Sequence, residues 1–180
     1  MQTVKMVITG PFSAGKTEFI RTISEIDVVS TERKISSDAE RIKDQTTVAM
    51  DFGRITVDED LVLYLFGTPG QKRFDFMWEI LSEGMLGFIV IVDSSRPETF
   101  REARSILDTF RGYAETPYVI AANKQDHEDA WAPDDLRIAL KIGKDVRVMP
   151  CVANDKDMVK SVLLELLYSI LETMDLGAES

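Results

Sequence analysis

Apolar positions along the chain follow two periods. Short, nearly continuous apolar runs alternate with longer stretches in which apolar residues fall three and four apart. The runs "TVKMVIT", "TVAMDFGRITV", "LVLYLFG", "LGFIVIVD", "TPYVIAANK" and "DVRVMPCVA" predict strands. The stretches "GKTEFIRTISEI", "QKRFDFMWEILSEG", "RPETFREARSILDTFRGY", "APDDLRIALKIG" and "NDKDMVKSVLLELLYSILETM" predict helices. In the last of these, Val159, Val162, Leu163, Leu166, Leu167, Ile170, Leu171 and Met174 mark one face, as in a helix lying on a sheet. Alternation of this kind predicts an α/β fold. It has three layers, α/β/α, with a mostly parallel six-stranded sheet flanked by about five helices. "TVAMDFGRITV" and "LVLYLFG", joined by the acidic turn "DED", are expected to pair antiparallel. Residues 27–46 are polar and aperiodic, which predicts a long loop; loops of that length inside a domain tend to carry function.

No repeat, low-complexity tract or linker interrupts the 180 residues, so a single domain over 1–180 is expected. The net charge is −10 and the pI about 4.6, which argues against nucleic acid and against docking on an anionic membrane. Cys151 is the one cysteine, so no disulfide framework exists and a reducing compartment fits. It ends an apolar run and reads as a buried, inert thiol. No secretory leader and no membrane-spanning run is seen. Gln2 in place of glycine and the cysteine-free end "DLGAES" predict no lipid anchor. A cytoplasmic protein is expected.

Candidate chemistry begins at "GPFSAGKT". Gly10, Gly15, Lys16 and Thr17 fit the phosphate-loop pattern G-x-x-x-x-G-K-[ST] without departure. Glycines let the backbone, here including Ser13 and Ala14, approach an anion closely, and successive N–H groups form a concave anion site. The loop opens a helix, whose N-terminus favours negative charge. Lys16 would reach the terminal phosphates and the Thr17 hydroxyl would ligate Mg²⁺. A chance match in a chain this long is on the order of one in a hundred. Kinases, ATPases and GTPases all use such a loop, so the base must decide.

"VIAANKQD" ends a buried run with Asn123, Lys124, Gln125 and Asp126. A short carboxylate there can accept two hydrogen bonds. Guanine offers N1–H and N2–H₂ side by side; adenine has an acceptor at N1 and nothing at position 2. Two bonds to a charged acceptor are worth roughly 1.5–3 kcal/mol each, enough for strong discrimination. At the carboxyl end of a strand, downstream of a phosphate loop, N-K-x-D points to guanine.

With these motifs in this order, residues 3–174 resemble a small GTPase of the Ras superfamily, in particular Rab-like and bacterial MglA-like members. The resemblance implies a P-loop NTPase fold and a switch driven by GTP and GDP with Mg²⁺. "TVAMDFGRI" is similar to the segment after switch I and implies Thr47, or Thr46, as a γ-phosphate sensor and Mg²⁺ ligand. "LFGTPGQKRF" is similar to W-D-T-A-G-Q-E-R-F of switch II. It implies Gly70 at the γ-phosphate and Gln71 as the residue that orients the attacking water. "CVAN" resembles the last guanine motif and implies the Ala153 N–H facing the guanine carbonyl. An effector or activating protein, of the roadblock type, is implied at the switches.

The aspartate that opens switch II in that family, where it holds Mg²⁺ through water, is Gly67 here. Weaker Mg²⁺ binding follows, or another carboxylate substitutes; Asp93 and Asp51 are the candidates. Pro69 stands for the usual alanine, and Phe12 sits where it could crowd Gln71. Both suggest slow hydrolysis without a partner. A nucleotide-dependent interaction module with little or no GTPase activity is the alternative, and a P-loop kinase or ATPase is a third. Arg41, Arg54, Arg73 and His127 read as surface residues. Phe74, Phe76, Met77, Trp78, Ile80 and Leu81 cannot all face inward, which suggests a partner surface on that helix.

Overall fold

The computed structural model describes residues 2–35, 46–69 and 75–179. In chain order its elements are β1 (Gln2–Thr9), α1 (Lys16–Ile23), β2 (Val29–Ile35), β3 (Thr46–Asp58), β4 (Leu61–Gly67) and α2 (Phe76–Ser82). They continue with β5 (Gly87–Asp93), α3 (Phe100–Tyr113), β6 (Tyr118–Asn123), α4 (Pro133–Ala139), β7 (Arg147–Pro150) and α5 (Lys156–Glu179). A 3₁₀ turn, Pro97–Thr99, leads into α3, with proline at its first position.

The strands form one sheet in the order β2-β3-β4-β1-β5-β6-β7. Pairing is parallel from β4 to β7 and antiparallel on either side of β3. All the expected strands are present, and the fold is of the P-loop NTPase type. The addition is β2, which occupies the first part of the segment expected to be a loop. Among the described residues it is an edge strand, bonded to β3. Edge strands carry charge and need no long apolar run, so "VSTERKI" shows no strand signal strong enough to stand out.

Alternation on the central strands splits the core between the two faces. Ile89 and Ile91 of β5 join Met6, Ile8, Phe19, Val162 and Leu166 under α1 and α5. Phe88, Val90 and Val92 face Ile106, Leu107 and Phe110 of α3 and Leu136 of α4. All seven residues of β5 are buried, as two covered faces require. On α5, Val159, Val162, Leu163, Leu166, Leu167 and Ile170 are buried, whereas Met174 is exposed. Among the described residues, no helix is long and apolar enough to cross a membrane. Because the central strands run parallel, the ends of β1, β4, β5, β6 and β7 gather along one edge of the sheet, where ligands of such folds bind.

Candidate functional site

Three turns leave this edge and meet. The first, residues 10–15, joins β1 to α1. Its backbone turns through left-handed conformations, φ +63° at Ser13 and +111° at Gly15. A Cβ on Gly10 would lie 2.2 Å from the Ile91 carbonyl oxygen, and one on Gly15 2.3 Å from Asn123 Nδ2. Both glycines are therefore required for space as well as for conformation. The Lys16 ammonium folds back over the loop and donates to the carbonyls of Gly10 at 2.6 Å and Pro11 at 2.8 Å. Burial pushes its pKa down to about 8, while Glu102 and Asp51 partly offset the fall.

Asn123, at the end of β6, joins the three turns. Its Nδ2 donates to the Ala14 carbonyl at 2.8 Å, and its Oδ1 accepts from the Ala153 N–H at 3.0 Å. The Thr22 hydroxyl of α1 donates to the Ala153 carbonyl. Ala153 is therefore gripped from both sides. Its N–H, expected to face a base, donates to the buried Asn123 Oδ1, which needs a donor. Ala153 lines the site as a wall.

Lys124 follows with φ +64° and pairs with Asp93 at 2.9 Å. Burial pushes the Asp93 carboxyl up, but the Ser95 hydroxyl and N–H and the Lys124 ammonium outweigh it and hold the pKa below the ordinary range. Asp93 thus serves to hold Lys124 in place. Of the two carboxylates considered as a substitute at the metal, it is the one engaged by Lys124 and Ser95. The other, Asp51 on β3, accepts a hydrogen bond from the Thr17 hydroxyl at 2.5 Å.

Between the turns lies a cleft of about 540 Å³, within the range of small-molecule sites. Ser13, Gly15, Asn123, Lys124, Asp126 and Ala153 line it, and all were singled out in the sequence. Glu18, His127, Val152 and Asn154 complete the wall. Val152 and Asn154 belong to the "CVAN" segment, whereas Glu18 and His127 each follow a motif residue. His127, expected at the surface, is exposed on the cleft's rim.

The remaining candidates are placed differently. Thr47 lies on β3 opposite Lys34, about 13 Å along an extended strand from Asp51. Gly70, Gln71, Arg73, Phe74 and Arg41 lie outside the described residues. Arg54 pairs with Glu25 on the surface at 3.1 Å. Trp78, assigned to a partner surface, is buried: its ring packs against Phe110, and its Nε1–H donates to the Pro69 carbonyl at 2.8 Å. Met77 and Leu81 are also buried, so the exposed apolar side chains of α2 are Phe76 and Ile80, 52% and 59% accessible. Phe12, at 62%, projects from the phosphate loop into solvent. Cys151 is fully buried, and burial pushes its thiol up to about 12.

Among the described residues, no group of three or more His, Cys, Asp or Glu could hold a metal. Mg²⁺ seldom needs one: it keeps several waters and takes one or two protein oxygens together with substrate phosphates. The hard oxygens of Thr17 and Asp51, side by side where a helix begins, fit that demand.

Fold and loop together define a nucleotide-binding protein of the P-loop class. Over residues 26–179 the chain matches a family described as "conserved hypothetical ATP binding protein", and it belongs to that family. It is 33% identical over 126 residues to the uncharacterized protein MJ1339 of Methanocaldococcus jannaschii, a match that covers 70% of this chain and 73% of that one. It is 28% identical over 127 residues to the Ras-related protein RABA6b of Arabidopsis thaliana, covering 68% of this chain and 50% of the relative. Against the human ADP-ribosylation factor-like protein 4C the figures are 28% over 128 residues, 69% and 62%. The chain thus spans less than two thirds of these last two. Relatives of this kind support membership of the Ras superfamily.

Proposed function

We propose that the chain is a guanine-nucleotide switch: it binds GTP and GDP with Mg²⁺ and hydrolyses GTP slowly. One observation carries this reading. The phosphate loop and Asp126 line the same cleft, and a single side chain, Asn123, fixes one end to the other. Phosphates would lie on the N–H groups of residues 13–17, with the Lys16 ammonium released from the loop carbonyls to meet them. Asp126 would accept from N1–H and N2–H₂ of guanine. The ion pair between buried Asp93 and half-buried Lys124 would hold that turn in register. Bound Mg²⁺ would neutralise phosphate charge between Thr17 and the nucleotide.

Gln71 would orient the attacking water, with Gly70 at the γ-phosphate. Thr47 would reach that phosphate by drawing the start of β3 out of the sheet, so that GTP and GDP favour different shapes. Hydrolysis on the order of 10⁻⁴ s⁻¹ is expected without a partner, with a large gain from a protein that supplies an arginine. A roadblock-type activator or effector would bind near Phe76 and Ile80.

The family's description speaks of ATP, and adenine is the competing base. Adenine N1 would present a lone pair to the Asp126 carboxylate, which is repulsive. Titrating nucleotide-stripped protein with labelled GTP, GDP and ATP decides between them. Tight binding of both guanine nucleotides with ATP excluded supports the proposal; ATP binding as tight as GTP defeats it. A second reading, an interaction module with little turnover, is favoured by the exposed Phe12 beside the loop and by Gly67. Gln71→Leu separates the two, because turnover falls only if the protein is a GTPase.

A further inference from the structure

The residue at position 67 and the residue at position 51 are one problem seen from two strands. Gly67 ends β4, and its partner across the antiparallel ladder is Asp51. Directly opposed residues send their side chains to the same face. At Gly67 that face is already filled: a Cβ would sit 2.9 Å from Ile20 Cδ1, 3.2 Å from Asp51 Cβ and 3.6 Å from Asp51 Oδ2. The carboxylate that occupies this space bonds to Thr17, the residue best placed to ligate Mg²⁺.

We infer that Asp51, reaching across from β3, is the carboxylate that anchors the Mg²⁺ of the bound nucleotide, and that Gly67 is glycine so that it can. This rests on the nucleotide reading above. A hydroxyl has one donor and two acceptor lone pairs. By accepting the Thr17 hydrogen bond, Asp51 leaves the lone pairs of Thr17 for a cation and fixes their direction. The arrangement matches what Mg²⁺ asks of a protein: few direct ligands, a negative charge close by, and waters held in place. The charge absent from position 67 has therefore moved one strand over.

Dissociation of labelled GDP, followed while Mg²⁺ is titrated against chelator, tests this. In the intact chain Mg²⁺ should slow release strongly. In Asp51→Asn, which keeps size and shape, the Mg²⁺ concentration for half effect should rise by about 10–100-fold. Without Mg²⁺ the same variant should hold GDP as well as or better than the parent, since a negative charge near the phosphates is gone. Asp51→Gly combined with Gly67→Asp returns one carboxylate to the same space by the other route and should restore most of the Mg²⁺ effect. An unchanged Mg²⁺ dependence in Asp51→Asn overturns the assignment while leaving nucleotide binding intact. If the parent chain binds no nucleotide at all, the reading under Proposed function falls, and this one with it.

Discussion

Asp126 lines the cleft, and in the proposed function its charge would be the lever for choosing a purine. Two bonds to a carboxylate amount to roughly 3–6 kcal/mol. Asp126→Ala should therefore reduce the preference for GTP over ATP by about 10²–10⁴-fold, read from competition binding. Cys151 offers a check of the core beside it. Burial holds its pKa near 12 in the fold against 9.0 for the unperturbed thiol. At pH 8 iodoacetamide should leave the folded protein unlabelled and label it in urea. The fold keeps this proton more tightly than the unfolded chain does, so its stability should drop as pH climbs from about 9 towards 12. Gly10, Gly15, Lys16, Asn123 and Asp126 were legible because each motif is local and its spacing reflects one turn of backbone. Asp51 was legible only as one of two candidates. Its meaning depends on the register of β3 against β4, and no hydrophobic period encodes register to one residue.

At the scale of elements, α2 shows both the reach and the limit of pattern reading. Too many large apolar residues for one buried face were evident in "RFDFMWEILSEGM", and Phe76 and Ile80 are indeed exposed. Which residues faced out was not evident, because Trp78 turns inward to give its N–H to Pro69. Trp78→Ala should cost about 3–5 kcal/mol in urea unfolding, whereas Phe76→Ala should stay within about 0.5 kcal/mol. If both are neutral, the packing described for α2 is wrong. β2 escapes the pattern for the opposite reason. Its stability comes from backbone pairing with β3, and "VSTERKI" has too little apolar character to announce it.

For the molecule as a whole, nucleotide binding and folding are linked through a site built from three turns far apart in sequence. A ligand at 100 times its Kd adds about 2.7 kcal/mol to stability. Saturating GTP or GDP with Mg²⁺ should raise the melting temperature by several degrees, and equimolar ATP should not; equal shifts would argue for a site blind to the base. The bond network at Asn123 has a consequence for this linkage. One side chain ties the phosphate loop to the turn that carries Ala153, so in the proposed function the cleft would behave as a gauge of set span. Pyrophosphate and guanosine, added as separate pieces, should each bind poorly. Joined in one molecule of the right length they should bind far more tightly than the two affinities multiplied, because the protein has already met the cost of holding the two ends apart.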